Sequence, residues 1–430
     1  MDSQSSDTLY AAGRQAVEQH LGFKLHDAPV HVVVHKEVAR TEAGQVALLS
    51  LVNMLARVHN VVTIDTAEDV ELVVQPMFGV SDGSLVDSTI KLCLEANPSC
   101  RVWPSNRPVP GSTTIGIGPV QRRCHWHVGA NRALATVRTT PVQDDSWSHP
   151  GTVWGAALAA CLVASAALRS AHGLATTSTR MSAWNWAEGE RAEPGPDAAF
   201  PLERSSKLLV GAGSVAGSLG HWLHYLGAAG SWTVIDDDAV TDGNLIKGLN
   251  LRGCDLGRGK AELLAGQLPR STWERCWYDK SNLAREQFDL VLCLANERDV
   301  RAALSLRAPA LILHATTGEC WDVRLHRHIR NRDDCLACRT QDWRQAVLAC
   351  SEVRIESDKG HRADTALPFA AGLAGLMLAS ALSRLESGEL ELDECNGWGV
   401  AFEGARQLSL RSKFRCRAGC PSSSFATPPS

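Results

Sequence analysis

A glycine-rich turn between an apolar strand and a helix is the feature that most constrains how this chain can fold. The strand Lys207–Val210 leads into the turn Gly211–Ala216, and the apolar spacing of Val215–Leu226 predicts a helix directly after it. Gly211 permits the tight turn, and Gly213 lets the backbone approach a phosphate at the positive end of the helix. The sequence therefore predicts a phosphate-binding loop, although a plain strand–helix turn would have the same glycines.

The segment after this turn carries the polar groups that a nucleotide requires. The strand Trp232–Asp236 ends in a carboxylate 25 residues after Gly211, where it can accept hydrogen bonds from both ribose hydroxyls. Asn244, Lys247 and Lys260 follow, and lysine supplies point charges for a polyphosphate. The ribose carboxylate alone does not separate NAD from ATP, and the lysines alone would also suit a solvated loop.

The two halves of the chain follow one plan, in which a strand, a loop, a helix and a second strand precede a long Ala/Leu-rich helix. Alternating strands and helices predict parallel sheets covered by helices, so we expect two Rossmann-like α/β halves. The loop His35–Gln45 has no glycine pair, which indicates that the first half has lost nucleotide binding. The repeated segments are Val30–Val34, Gln45–Val58, Val61–Asp65 and Thr152–Gly173 in the first half, and Lys207–Val210, Val215–Leu226, Trp232–Asp236 and Leu367–Gly388 in the second.

Composition excludes several classes of protein. A 44% hydrophobic and 21% charged chain of 430 residues is globular, and a formal charge of −4 calls for neither nucleic acid nor an anionic membrane as partner. The Ala-rich stretches Thr152–Leu168 and Ala366–Leu382 are short for membrane spans, so we expect buried helices. The start of the chain does not resemble a signal peptide, and we expect a cytoplasmic protein whose 14 cysteines serve metal and thiol chemistry.

The residues after the ribose carboxylate resemble a known family. Asp236, Asp238, Asn244, Leu245, Lys247, Gly257 and Lys260 are similar to the D-x-D-x-V-x-x-x-N-L-x-R…G-x-x-K pattern of ubiquitin-activating enzymes and of the related thiamine- and molybdopterin-pathway adenylyltransferases. The resemblance covers about residues 204–420 and implies an ATP substrate. It implies that Asp236 holds the ribose and that Asn244, Lys247 and Lys260 hold the phosphates, with Gly211, Gly213 and Ser214 in the loop. Lys247 stands where the family has Arg and loses bidentate contact.

The family's magnesium ligand is replaced in this chain. The strand Asp289–Leu294 is followed by Asn296, where the family has an Asp that binds Mg²⁺. An amide is a weaker ligand for a hard cation than a carboxylate. Either Glu297 substitutes, or the ATP phosphates hold the ion, or adenylation is weak. The resemblance also implies that Arg14, beside Gln15 in a predicted N-terminal helix, reaches the phosphates, although a surface arginine would look the same.

Four cysteines in two close pairs predict a structural zinc site. Cys335 and Cys338 form a C-x-x-C pair, and Cys416 and Cys420 form a C-x-x-x-C pair near the C-terminus. Four thiolates suit tetrahedral Zn²⁺, which would tie the tail to the body of the protein. The family has such a site, with its second pair near the C-terminus. The alternative is a free redox pair.

The resemblance implies a function with two steps. The chain would adenylate the C-terminal carboxylate of a ubiquitin-like protein, and Cys350 would then form a thioester that passes to a conjugating enzyme, as in bacterial ubiquitin-like systems of antiphage defence. Cys350 lies 12 residues after Cys338, ahead of the polar stretch Ser351–Thr365, and could instead be a buried structural cysteine. The organisation implied is an inactive domain over residues 1–186, a linker over 187–206, an active ATP-binding adenylation domain over 207–420 and a disordered tail over 421–430, in a monomer or homodimer.

Three other functions stay open from the sequence. One is a sulfur-carrier or peptide adenylyltransferase without a thioester step, the second is an NAD-dependent oxidoreductase, and the third is a non-catalytic scaffold. Of the less informative residues, we expect His125, His127, His326 and His328 to be half-exposed strand residues rather than metal ligands. Trp184 and Trp186, near the linker, could form a partner-binding patch or pack the two halves together.

Overall fold

The computed structural model describes most of the two halves. The described residues are 28–66, 70–78, 83–143, 146–171, 176–196, 206–227, 229–283, 286–307, 309–318, 321–339, 355–356, 362–363, 367–403, 406–416 and 420. The predictions for Arg14, for Cys350 and for the tail 421–430 lie outside the described residues.

The first half is built on a seven-stranded sheet in the order β3-β2-β1-β4-β5-β6-β7. The first five strands of that order are parallel, and β6 and β7 are antiparallel to their neighbours. The central strand reads VHVVV and is buried along its whole length, as β-branched strands of a sheet covered on both faces are. The strands are β1 (Val30–Val34), β2 (Val61–Asp65), β3 (Arg101–Pro104), β4 (Thr113–Ile117), β5 (Trp126–Asn131), β6 (Leu134–Arg138) and β7 (Thr179–Ser182).

The second half repeats this order in an eight-stranded sheet, β10-β9-β8-β11-β12-β13-β16-β17. Its first five strands are again parallel and its last three antiparallel, so two α/β sheets with mostly parallel strands confirm the expected Rossmann-like halves. The strands are β8 (Ser206–Val210), β9 (Ser231–Ile235), β10 (Ser271–Glu274), β11 (Leu290–Cys293), β12 (Leu311–Thr317), β13 (Val323–Ile329), the separate hairpin β14 (Ile355–Glu356) and β15 (Arg362–Ala363), β16 (Gly397–Glu403) and β17 (Arg406–Ser412).

The helices that matter most for the packing are four long ones at the junction of the halves, α2, α4, α5 and α10, which contact one another. Thr41 caps α2 by accepting from the Gly44 amide at 3.0 Å. The helices are α1 (Lys36–Ala39), α2 (Glu42–Val58), α3 (Leu85–Ala96), α4 (Thr152–Ala171), α5 (Ser214–Leu226), α6 (Asp242–Leu245), α7 (Lys260–Ala265), α8 (Arg298–Arg307), α9 (Leu336–Arg339), α10 (Pro368–Glu386) and α11 (Glu389–Leu392), with 3₁₀ turns at Gly189–Arg191, Gly253–Asp255 and Tyr278–Lys280.

The two Ala-rich helices lie inside the protein. Both α4 and α10 are long and apolar enough to cross a membrane, yet 94% and 100% of their apolar windows are buried in the fold. Small residues let α10 approach α5 closely, because a Cβ on Gly375 would lie 2.5 Å from the Leu219 backbone nitrogen. Burial of this kind is typical of core helices, as the sequence predicts.

Polar side chains fix the two halves against each other. Arg57 of α2 donates to the carbonyl oxygens of Leu245 and Leu251, and Asn53 donates to that of Leu249 at 3.0 Å. These carbonyls belong to the segment that carries the predicted phosphate ligands Asn244 and Lys247. The first half therefore holds that segment in place through hydrogen bonds. Arginine is fully charged in this buried position, and each carbonyl therefore accepts a charge-assisted hydrogen bond.

The tryptophans near the linker pack the halves together. Trp184 is buried and its indole donates to the Glu389 carboxylate at 2.9 Å. Trp186 is buried edge-to-face against Trp398, with 5.6 Å between ring centroids, and Arg384 lies over its ring. Of the two alternatives for these tryptophans, packing between the halves is confirmed.

His221 makes the junction of the halves sensitive to acid. Its imidazole is fully buried in α5, with Nε2 3.1 Å from Ser50 Oγ of α2, and burial lowers its pKa to about 3. Below the pKa of about 6.5 that histidine has in an unfolded chain, the His221 imidazole binds a proton in the unfolded protein but not in the folded one. The free energy of unfolding therefore decreases as pH falls from about 6.5 toward 3.

We expect His221→Gln to reduce the loss of folding stability at acid pH. Glutamine keeps a polar partner for Ser50 without titrating. The slope of unfolding free energy against pH between pH 6.5 and 5 should fall by up to about 1.4 kcal/mol per pH unit, measured by denaturant unfolding in a pH series. An unchanged slope would show that His221 is protonated in the folded protein.

Candidate nucleotide site and four-cysteine cluster

The glycine turn after β8 is held tightly against the neighbouring strand. Gly211 has a φ of 93°, and its amide donates to the Ile235 carbonyl at 2.9 Å. A Cβ on Gly211 would lie 2.6 Å from the Ala295 backbone nitrogen, so no side chain fits there. The positive φ and this close approach give the physical reason for glycine at the position.

The next glycine leaves open space at the start of α5. A Cβ on Gly213 would meet no atom within 4 Å, and Gly213 makes no side-chain cap for the helix that begins at Ser214. The amides of a helix's first turn have no partners inside the helix and attract anions. The loop thus combines an open approach with a positive helix end, as a phosphate site requires.

Asp236 lies directly beside this turn. Its Oδ2 accepts from the Ala212 amide at 2.6 Å, and its Oδ1 accepts from the Asp238 amide at 2.8 Å. Burial raises the pKa of Asp236, while Lys260 and the two amides oppose that shift. The carboxylate at the end of β9 and the glycine turn at the end of β8 therefore form one site, at the carboxyl edge of the sheet.

Lys260 approaches the same edge from the start of α7. Its Nζ lies 2.7 Å from Asp238 Oδ2, and its amide donates to the Asp238 carbonyl at 3.0 Å. The Lys260 side chain is 12% exposed whereas that of Asp238 is 68% exposed. The pair thus stands at the mouth of the site, with the ammonium group on the inner side and the carboxylate toward solvent.

Asn244 and Lys247 occupy the segment between these groups. Asn244 Oδ1 accepts from the Thr241 amide at 2.8 Å and from the Thr241 hydroxyl at 3.0 Å. These hydrogen bonds cap the N-terminus of the short helix α6. Lys247 is buried, close after that helix. The contacts among the described residues position Asn244 locally, and the phosphate-binding roles of Asn244 and Lys247 stay predictions.

The carboxyl end of β11 carries an amide and an arginine. Arg301 donates to Asn296 Oδ1 at 3.2 Å and to the Ala295 carbonyl at 3.0 Å. Asn296 and Glu297 are both exposed. This edge therefore presents a guanidinium group beside Asn296, and carboxylates of the kind that binds Mg²⁺ are present at Glu297 and at Asp238 across the site.

In the first half, the described residues after β1 leave no comparable opening. The short helix α1 follows β1 directly, and Val38 and Ala39 in it are buried. A Cβ on Gly44 of α2 would lie 1.9 Å from the Val38 carbonyl oxygen, so the two helices are in close contact. Asp65, at the end of β2, is ion-paired with Arg122 at 2.9 Å. The turn and the carboxylate that correspond to the candidate nucleotide site of the second half are both filled here by other parts of the chain.

The four predicted cysteines come together. The sulfur atoms of Cys335, Cys338, Cys416 and Cys420 all lie within 4.8 Å of one another, and those of Cys335 and Cys420 are 3.7 Å apart. With Zn–S bonds of about 2.3 Å, tetrahedral geometry requires sulfurs about 3.8 Å apart. The Cys335 amide donates to Cys416 Sγ at 3.2 Å, and the Cys338 amide to Cys335 Sγ at 3.4 Å. The donor set fits Zn²⁺.

A buried polar group that the sequence analysis missed braces this cluster. Arg339 donates to Asp334 Oδ2 at 2.7 Å, contacts His326 Nδ1 at 2.7 Å and lies 3.5 Å from the Phe414 ring centroid. Asn396 donates to Asp334 Oδ1 at 3.0 Å and accepts from the Phe414 amide at 2.8 Å. Asp334 precedes Cys335, Arg339 follows Cys338, and Phe414 precedes Cys416 by two residues, so this group joins both cysteine pairs.

The expectation for the strand histidines is wrong for three of the four. His127, His326 and His328 are 1%, 8% and 4% exposed, because the strands that carry them are interior strands covered by helices and loops. His326 stacks on the buried His314, with centroids 5.8 Å apart. Burial lowers the pKa of His326, so it is neutral and can accept from Arg339. His125, just before β5, is exposed.

Solved structures and curated proteins give limited further information. MccB of E. coli with AMPCPP and selenomethionine MccA is 12% identical, with a TM-score of 0.39, over 51% of this chain and 67% of that chain. MccB with ATP gives the same values, and MccB with succinimide is 13% identical, with a TM-score of 0.40, over 52% of this chain and 67% of that one. A likeness at this level establishes no shared activity. No curated protein matches the chain.

One family model matches part of the chain. It is described as the BilD N-terminal domain, and the match covers residues 29–184, from the start of β1 through β7. The first half of this protein is therefore similar to the BilD N-terminal domain.

Proposed function

We propose that this protein is an activating enzyme that uses ATP to adenylate the C-terminal carboxylate of a ubiquitin-like protein. The observation that carries the proposal is the contact between Asp236 and the glycine turn, with Lys260 at the same edge of the sheet. The pattern of residues from Asp236 to Lys260 supports ATP over NAD, since an oxidoreductase has no use for the lysines. The match of the first half to the BilD N-terminal domain supports placement in the ubiquitin-activating superfamily.

In the proposed first step, the residues of the second half bind ATP and stabilise its phosphates. Asp236 accepts hydrogen bonds from the ribose hydroxyls, Gly211 makes the turn, and Gly213 and Ser214 offer backbone amides to the phosphates. A carboxylate oxygen of the ubiquitin-like tail attacks the α-phosphorus, and the bond to pyrophosphate breaks. Lys260 and Lys247 stabilise negative charge on the departing pyrophosphate, with Asn244 as a further donor.

Mg²⁺ would neutralise phosphate charge in this step. The side-chain oxygen of Asn296 already accepts a hydrogen bond from Arg301. We therefore propose that the ATP oxygens would hold the ion, with Glu297 or Asp238 as the carboxylate ligand from the protein. Arg301 itself adds a positive charge beside the phosphates. Arg14, from the N-terminal segment, is proposed as an additional phosphate ligand.

In the proposed second step, the Cys350 thiolate attacks the acyl-adenylate carbonyl, AMP leaves, and a thioester forms that passes to a conjugating enzyme. The hairpin β14–β15 supports access, because β15 lies against α6, the helix that carries Asn244. Ile355, at the start of this hairpin, is five positions after Cys350, so their Cα atoms are at most about 18 Å apart. The proposal places the reaction in a cytoplasmic conjugation system of the bacterial antiphage type, carried out by a single chain whose first half is inactive.

We expect Cys350→Ala to separate the two steps. With ATP, Mg²⁺ and a β-grasp protein ending in glycine, the wild type should form an adduct on a non-reducing gel that dithiothreitol removes. Cys350→Ala should lose this adduct and keep ATP–pyrophosphate exchange, because the nucleotide site is intact. The matched control is Cys254→Ala, since Cys254 is an exposed thiol outside the cluster, and it should keep both activities.

Each contrary result selects another function. Exchange without an adduct in the wild type would indicate an adenylyltransferase for a sulfur carrier or peptide. Absence of exchange with any partner, together with NAD(H) binding, would indicate an oxidoreductase. Absence of both would indicate a scaffold.

A further inference from the structure

A cavity of about 650 Å³ adjoins the four-cysteine cluster and lies apart from the nucleotide site. Its apolar wall includes Ile312, Ile329 and Leu336, and the cysteines Cys335 and Cys416 border it. Its volume falls in the range of sites that hold a ligand or a large side chain.

The cavity opens at the edge of the sheet opposite the nucleotide site. β8, β11 and β12 are parallel, and the glycine turn follows the carboxyl end of β8. Pro309 and Ile312, which line the cavity, lie at the amino end of β12. Something bound here would leave the glycine turn and Asp236 free.

The rim of the cavity is positively charged. Arg330, Arg332, Lys413 and Arg415 line it and are all exposed. Two lining carboxylates do not offset them, because Asp333 is paired with the buried Arg327 at 2.8 Å and Asp334 with Arg339. Arg332 donates to carbonyl oxygens, including that of Asp393 at 3.1 Å, so its own charge is not neutralised. Glu394 is the third acid among the described lining residues, which include four cations.

Two large apolar side chains stand exposed at the same rim. Leu392 is 80% exposed and Phe414 is 41% exposed, and both line the cavity. Leu392 is the most exposed large hydrophobic residue among those the structure describes. Exposed apolar residues around a pocket mark a surface that binds another molecule.

We propose that this surface, the basic rim with Leu392 and Phe414, docks an acidic segment of a partner protein that inserts a large apolar side chain into the cavity. The four cations supply the complementary charge, and the apolar wall supplies the pocket for the anchor. A nucleic acid would use the cations and leave the cavity and both apolar residues unused. The proposal does not depend on the reaction proposed for the nucleotide site.

The test uses a fluorescein-labelled peptide in which glutamates flank a central Phe-Leu pair, with binding to the full chain followed by anisotropy. The double variant Leu392→Ser/Lys413→Glu should weaken binding at least about tenfold. The matched control is Lys91→Glu/Leu94→Ser, the same two changes at exposed residues of α3, and it should bind like the wild type. Melting temperature and zinc content should be equal in all three proteins.

Several results would overturn the proposal. The proposal is wrong if the wild type does not bind the peptide at concentrations up to about 1 mM. It is also wrong if the matched control weakens peptide binding as much as Leu392→Ser/Lys413→Glu does. Tighter binding of duplex DNA than of the peptide, lost in the same double variant, would make the surface a nucleic-acid site. A dimer that the double variant dissociates, measured by sedimentation, would make it an interface between copies of the chain.

Discussion

Replacing Lys260 with alanine is expected to lower the rate of ATP–pyrophosphate exchange at least about 100-fold, the cost of removing one preorganised charge from a transition state. The ammonium group is largely shielded and stands within reach of both Asp236 and Asp238 at the mouth of the glycine turn. Removing it leaves these carboxylates facing incoming phosphates with less positive charge. The loss should appear mainly in the rate constant rather than in nucleotide affinity.

Two further variants make this result specific. Lys280→Ala removes an exposed lysine from a 3₁₀ turn of the same half and should exchange pyrophosphate like the wild type. Lys260→Arg keeps the positive charge on a side chain of different shape. Its exchange rate should lie between those of the wild type and Lys260→Ala. The measurement is isotope exchange at saturating ATP with the ubiquitin-like partner present. If Lys260→Ala and Lys280→Ala were equally active, the charge at this edge would have no part in the chemistry.

Local sequence could predict the glycine turn and its carboxylate because both are set by short-range requirements. Gly211 is needed by a positive φ and a close approach to Ala295, and Asp236 follows its strand by one residue. Parallel strands bring their carboxyl ends to one edge, so the two features had to meet once the strands were recognised. The two cysteine pairs could also be recognised from the sequence, because their spacing is typical of ligands that share one metal ion.

The interior of the second sheet could not be predicted in the same way. His326 and His328 lie two residues apart among the charged and apolar residues of β13, as expected of a half-exposed strand, yet both are buried. Arg339, Asp334 and Asn396 are polar residues in loops and at a helix end, where exposure is the normal expectation. Asn396 meets Asp334, 62 positions earlier, because β13 and β16 pair, and that pairing joins residues 71 to 77 positions apart.

The contrast between the halves was half predicted. The missing glycine pair in His35–Gln45 indicated a lost phosphate loop, but the sequence did not show what replaced it. In the structure α1 fills the turn, and Arg122 pairs with Asp65, the counterpart of Asp236. The Asp65 carboxylate is thus paired with a cation of its own half, and the Arg57 contacts with the second half are consistent with a supporting role for the first.

Replacing Cys420 with serine is expected to lower zinc affinity at least about 100-fold, which corresponds to about 2.7 kcal/mol of stabilisation by bound metal. The four thiols lie close enough to share one ion, and burial together with the neighbouring thiols raises the pKa of Cys416 when no metal is bound. Loss of the fourth ligand leaves three sulfurs, too few to complete a tetrahedral site. The measurement is zinc per chain by mass spectrometry after dialysis, with the melting temperature.

The control for this variant is Cys395→Ser, since Cys395 is a partly buried thiol on the segment before β16 and outside the cluster. It should keep one zinc per chain and its melting temperature, and a chelator should destabilise it and the wild type but not Cys420→Ser. Because the ion joins the turn after β13 to the end of the segment after β17, the protease sensitivity of residues 413–420 should rise with zinc loss. A wild-type protein carrying well under one zinc per chain would remove the metal from this site and leave the Asp334–Arg339 group to join the two cysteine pairs.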